Sequence, residues 1–100
     1  MLVLDRAHFQ HMTGGDAALQ LEVLGLFRDQ AAGWEAALAA GADWRAAAHT
    51  LKGSARGIGL SRLAAACEAA EHQGEPALAQ VRAALREALT ALDQFAADAA

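Results

Sequence analysis

His49 is the residue best placed to do chemistry, because three cations and a glycine share its neighbourhood: Arg45, Lys52, Gly53 and Arg56. On an α-helix, which advances about 100 degrees per residue, Ala47, Ile58, Leu51, Trp44, Ala55 and Ala48 gather about 160 to 260 degrees away from His49. Lys52, Arg45 and Arg56 fall at about 300 to 340 degrees and Gly53 at about 40 degrees. The imidazole is therefore expected to face outward from a helix whose opposite side is apolar. A ring among cations is poorly suited to a metal ion, which calls for carboxylates or further imidazoles. It is well suited to an anion. A free imidazole has an unperturbed pKa of about 6.5, so near neutrality it keeps a nitrogen lone pair that can act as a nucleophile. Phosphorylation would add about two negative charges, which Lys52 and Arg56 could neutralise one and two turns further on. Gly53 costs a helix interior about 1 kcal/mol relative to Ala. Clearance for another protein beside the ring would offset that cost.

The elements that must position this face are legible as amphipathic helices joined by short breaks. Asp5 is expected to cap a first helix over roughly 5–12, with Phe9 and Met12 as apolar anchors and Thr13, Gly14 and Gly15 ending it. Asp16 caps a second, whose stripe is Leu19, Val23, Leu26, Phe27, Ala31, Trp34 and Leu38 and which ends near Gly41. Leu21 falls off that stripe. Asp43 starts the third, and Gly57 with Gly59 loosens its end. Ser61 caps the fourth, with Leu63, Cys67 and Ala70 inward, and Gln73 to Pro76 form a turn. In the last helix Leu78, Val81, Leu85, Leu89, Leu92 and Phe95 step by three or four, before an Ala-rich tail expected to fray. The expected fold is all-α: an up-and-down antiparallel four-helix bundle with a short extra N-terminal helix, one domain over 1–100.

Composition supports the same class. There are 29 Ala and 14 Leu but one Ile and no Tyr, a balance that favours helix over strand. At 100 residues, one core can form but not two. The net charge of -4 leaves no basic field for nucleic acid, no 18 consecutive apolar residues mark a membrane span, and the start MLVLDRAHF, with no positive n-region and with Asp5 interrupting its short apolar run, is not expected to be a leader. The single Cys has no internal partner. A cytoplasmic location is expected. His8 and His11 could share a face, but two ligands do not close a metal site, and His72 stands near a helix end where it can meet the last carbonyls. Cys67, Trp34 and Trp44 read as core.

The segment AHTLKGSARGIGLSRLAAACEAAE resembles the histidine phosphotransfer (HPt) domains of two-component phosphorelays. Their motif is a His followed at three and four residues by Lys and Gly, often then Ser, and HTLKGS matches it. The following GIGL turn, the Leu-, Ala- and Cys-bearing helix, and the upstream GGD and Phe27 extend the resemblance over nearly the whole chain.

The resemblance implies that His49 accepts a phosphoryl group on Nε2 from a receiver-domain aspartyl phosphate and passes it to a second receiver. Lys52 would contact the phosphoryl oxygens, Gly53 would give the receiver room, and Arg56 would add charge support. Related domains hold the other ring nitrogen with a Gln from the end of the following helix; the nearest positions here are Glu71 and Gln73.

No carboxylate trio for magnesium and no P-loop is present, so the Mg²⁺ is expected in the partner receiver, and the chain is expected to be a stoichiometric carrier without a cofactor or metal of its own. The expected partners are response-regulator receivers and a hybrid sensor kinase, met by a monomer. At about 1.5 Å per residue, an antiparallel second helix would bring Gln30, Gly33 and Ala37 to the level of His49, where with Arg45 they would form a docking surface. The alternatives are a helical adaptor or dimerisation bundle with no chemistry at His49, and a metal-binding bundle using several of the four histidines.

Overall fold

The computed structural model describes residues 1–40 and 43–99. Five α-helices follow one another: α1 (Arg6–Met12), α2 (Ala17–Ala40), α3 (Trp44–Ile58), α4 (Ser61–Gln73) and α5 (Leu78–Ala99), with a single 3₁₀ turn (Glu75–Ala77) before the last. The expected all-helical class holds. Gly41, the expected end of the second helix, lies outside the described residues.

The breaks are where the sequence places them, though not always by the expected device. Asp5 accepts from the His8 amide at 3.0 Å and Asp16 from the Leu19 amide at 3.1 Å, so both act as N-caps. Gly14 and Gly15 turn the chain between α1 and α2 with φ of 61° and 72°. Asp43 precedes α3 but makes no capping bond. Ser61 is not a cap: Leu60 holds that position and Ser61 is already helical. The reason is the tight α3–α4 corner. Gly59 takes φ 98°, and the Gly59 and Leu60 amides both return to the Ala55 carbonyl, which commits Leu60 to the corner. Gly57 does not loosen α3, which runs through it to Ile58. The alanine tail stays helical to Ala99.

α2 packs on α3, α3 on α4, α4 on α5, and α5 closes the ring on α2. Ion pairs register two of these contacts as antiparallel. Arg56 meets Glu68 while Lys52 meets Glu71 across α3 and α4, and Arg28 meets Asp93 while Glu35 meets Arg86 across α2 and α5. Inside the ring lie Phe27, Leu38, Leu51, Leu63, Val81, Leu85 and Leu92. Each fully buried side chain of this size contributes about 1.5–3 kcal/mol. Trp34 and Trp44 are both in this core, Trp34 against Phe27 with ring centroids 5.4 Å apart.

α2 departs most from its expected stripe. Gln20, Leu24, Phe27, Ala31, Trp34 and Leu38 face inward, while Leu19, Leu26 and Leu21 are exposed. Leucines occur on nearly every side of this helix, so periodicity alone does not choose its inner face. Its partners do. The Gln20 amide donates to Gln10 Oε1 at 2.9 Å and Thr13 Oγ1 at 3.0 Å, which allows a polar side chain outside the expected stripe to be buried.

α1 lies over the α3–α4 corner. The Asp5 amide donates to the Gly59 carbonyl at 2.8 Å, the His8 ring meets the Gly57 carbonyl at 3.1 Å, and Phe9 packs edge-on against Phe95. A Cβ on Gly59 would come within 3.1 Å of the Asp5 carbonyl oxygen, so glycine is needed there for space as well as for φ. Met12, expected as an anchor, is instead exposed. Among the described residues no helix is long and apolar enough to cross a membrane.

Candidate functional site

The inward set of α3 is Trp44, Ala48, Leu51, Ala55 and Ile58, with Ala47 half-buried against it. Burying that face leaves the His49 side chain 72% exposed, as its angular position requires. Gly53 sits one turn on, and a Cβ there would meet nothing within 4 Å. No packing inside the chain explains this glycine.

α4 contributes what α3 lacks, a carboxylate beneath the imidazole. Glu71 reaches two of the candidate side chains of α3: Oε2 lies 3.5 Å from His49 Nδ1 and Oε1 lies 2.7 Å from Lys52 Nζ. Oε1 is buried, and the Lys52 ammonium 2.7 Å away compensates its charge as a close ionic contact. The adjacent Lys52 ammonium, and then the His49 contact, hold the Glu71 carboxyl below its usual value of 4.5 against the opposing effect of burial. In the ring tautomer with its proton on Nδ1, that N–H donates to Glu71 and Nε2 keeps its lone pair.

The expected ring of free cations is thus corrected in detail. Lys52 is only 13% exposed and is paired with Glu71, and Arg56 is paired with Glu68 at 3.5 Å. Arg45 lies over the Trp44 ring at 4.4 Å and donates to the Glu71 carbonyl at 3.2 Å, where it satisfies a carbonyl in the last turn of α4. Acidic residues on α4 at helical spacing from Glu71 carry the signal for this pairing, but their register against α3 is set only by the Gly59 corner. Glu71 meets the ring as expected, whereas Gln73, at the exposed end of α4, makes no hydrogen bond to it. Beneath Glu71, burial and then the nearby carboxylate push the Cys67 thiol up to about 11, so it stays protonated and unreactive.

The expected docking edge is only partly joined to this site. Gln30 lines a shallow groove of about 240 Å³ together with Met12, Val23, Leu26, Ser54 and Ile58, on the far side of Gly53 from the Arg45 end of α3. Gly33 is exposed and Ala37 half-buried further along the same edge of α2, toward the start of α3. The groove's apolar lip was not expected, because Leu26 was assigned to the core. Among the described residues no three His, Cys, Asp or Glu side chains are grouped to hold a metal ion. His8 is engaged with the α3 terminus, and His72 is exposed in the last turn of α4.

Comparisons with curated proteins and with solved structures return no match. A family model described as the Hpt domain matches residues 22–95, which span all of α3 and α4 and most of α2 and α5. A family of helical phosphocarrier modules accounts for an exposed histidine standing over a carboxylate on a bundle without a nucleotide loop, and the chain belongs to the Hpt domain family, whose work is histidine phosphotransfer with receiver domains in two-component phosphorelays.

Proposed function

We propose that His49 is the phosphoryl acceptor and that this chain takes the group from the aspartyl phosphate of one receiver and gives it to another. The observation that carries the reading is the exposed ring, with Nδ1 engaged by Glu71 and Nε2 uncommitted. The Nε2 lone pair attacks phosphorus, the bond from phosphorus to the acyl oxygen breaks, and the receiver's carboxylate leaves with the electron pair. The Nδ1 proton stays on the ring, facing Glu71. In onward transfer a carboxylate oxygen of the second receiver attacks phosphorus, the P–O bond forms as the P–N bond breaks, and the electron pair returns to Nε2.

Lys52 supplies positive charge to the phosphoryl oxygens, with Arg56 as longer-range support, and Gly53 leaves room for the receiver's active-site loops. The receiver brings the Mg²⁺, so this chain acts as a stoichiometric carrier with no cofactor of its own. Arg45, Gln30, Gly33 and Ala37 form its docking edge, extended by the groove at Leu26 and Ile58. We assign the chain to a cytoplasmic relay in which it acts as a monomer, upstream or downstream of a hybrid sensor kinase.

Incubation with a phosphorylated receiver and Mg²⁺ is expected to yield an acid-labile, base-stable adduct on the wild-type chain and none on His49→Gln. An adduct of the same yield on His49→Gln rejects the assignment.

A further inference from the structure

We propose that Glu71 is a positioning residue whose charge also keeps phosphorylated His49 short-lived, because one carboxylate serves both the imidazole and Lys52. The proposal rests on His49 being the acceptor. Lys52 is the cation nearest to His49 along α3, yet its ammonium lies 2.7 Å from Glu71 Oε1 on a side chain that is only 13% exposed. Oε1 is buried with that ammonium as its close charge partner, so it depends on Lys52 for compensation.

Placing a phosphoryl group on Nε2 adds about two negative charges beside this pair. If Lys52 remains with Glu71, the new anion loses its nearest cation and stands near a carboxylate. If Lys52 turns to the phosphoryl oxygens, the buried Oε1 is left charged and uncompensated, which is costly. Either arrangement raises the free energy of the phosphorylated state relative to the free imidazole. The second contact acts in the same direction. Glu71 Oε2, 3.5 Å from Nδ1, favours a proton on that nitrogen. The group that departs when the P–N bond breaks is then a neutral imidazole and not an imidazolate. A glutamine would still accept from Nδ1–H but carry no charge, and would free Lys52 for the phosphoryl group. Glu71 thus makes this carrier a ready donor and a poor store.

The test uses phosphoramidate as a small-molecule phosphoryl donor on the full chain, with its removal followed by ³¹P NMR and intact mass. The half-life of phospho-His49 in Glu71→Gln is expected to exceed that of wild type by about fivefold or more, about fivefold being one like-charge interaction at about 4 Å fully screened by water. The tautomer is read separately from imidazole ¹⁵N shifts in the unphosphorylated chain. The Nδ1–H form is expected in wild type and Glu71→Gln, and a mixture in Glu71→Ala. A half-life in Glu71→Gln equal to or shorter than that of wild type overturns the proposal, as does an unchanged tautomer in Glu71→Ala. If neither phosphoramidate nor a phosphorylated receiver modifies His49 in wild type, the acceptor assignment itself fails and this inference fails with it.

Discussion

Two ion pairs join α3 to α4 one turn apart, and they are chemically alike but differently placed. Arg56 and Glu68 are both about half exposed and stand 3.5 Å apart, whereas Lys52 and Glu71 close to 2.7 Å with the lysine largely covered. Water competes for the first pair and screens it, so its net worth is small. Exclusion of water at the second makes each partner dependent on the other. The covered pair is also the one that touches His49, so the less exposed of the two pairs lies beside the imidazole. The number of cations around a histidine therefore says less than which of them is already engaged.

The largest test of this contrast is charge removal. Lys52→Ala is expected to slow phosphoryl transfer by on the order of tenfold to a hundredfold with helix content intact, while Arg56→Ala stays within about twofold of wild type. Equal rates for the two variants in a receiver-to-chain transfer assay would erase the distinction.

Acid gives the next effect. The Glu71 carboxyl is held below its ordinary 4.5, so the stability it lends is fully present above that pH and is lost as pH falls through the lowered folded value. Asp98, held down by Gln94 and then Arg6, follows the same sign from its ordinary 3.8. Thermal melts between about pH 5 and 3 should therefore show a shallower decline in Glu71→Gln than in wild type, with the Asp98 share remaining. Identical pH profiles would mean that the covered pair adds no stability that acid removes.

A smaller change is expected at Gly53. Since a Cβ there meets nothing, Gly53→Ala should stabilise α3 by up to about 1 kcal/mol in denaturant melts, and a bulky replacement should weaken receiver binding without unfolding the bundle. The smallest effect belongs to the exposed pair: Glu68→Ala is expected to lie within about 0.5 kcal/mol of wild type by the same measurement.

How far the sequence reaches differs between α3 and α2. In α3, polar and apolar residues segregate, so the periodicity correctly orients His49 outward and Leu51 inward. In α2, leucines on several faces leave the rotation undetermined until Gln20 finds Gln10 and Thr13 across the first turn. The site divides in the same way. His49, Lys52 and Gly53 are close in sequence and share one helix, so their relation is fixed by a period. Glu71 was a candidate only through resemblance, because its reach to His49 and Lys52 depends on how Gly59 folds α4 back on α3. That Lys52 would already be engaged, and Gln73 out of reach, depends on that same corner.

The bare stretches at Gly33, Gly53 and Gly57, where an added methyl would touch nothing, have a consequence for how relays are kept apart. Ground without side chains tolerates many visitors and tells them apart poorly, since it presents only backbone. If receivers dock on this face as proposed, discrimination between them is expected at the margins, in Arg45 at one end and in Gln30 and Leu26 at the other. On that proposal, exchanging those few rim positions is expected to shift the choice of receiver.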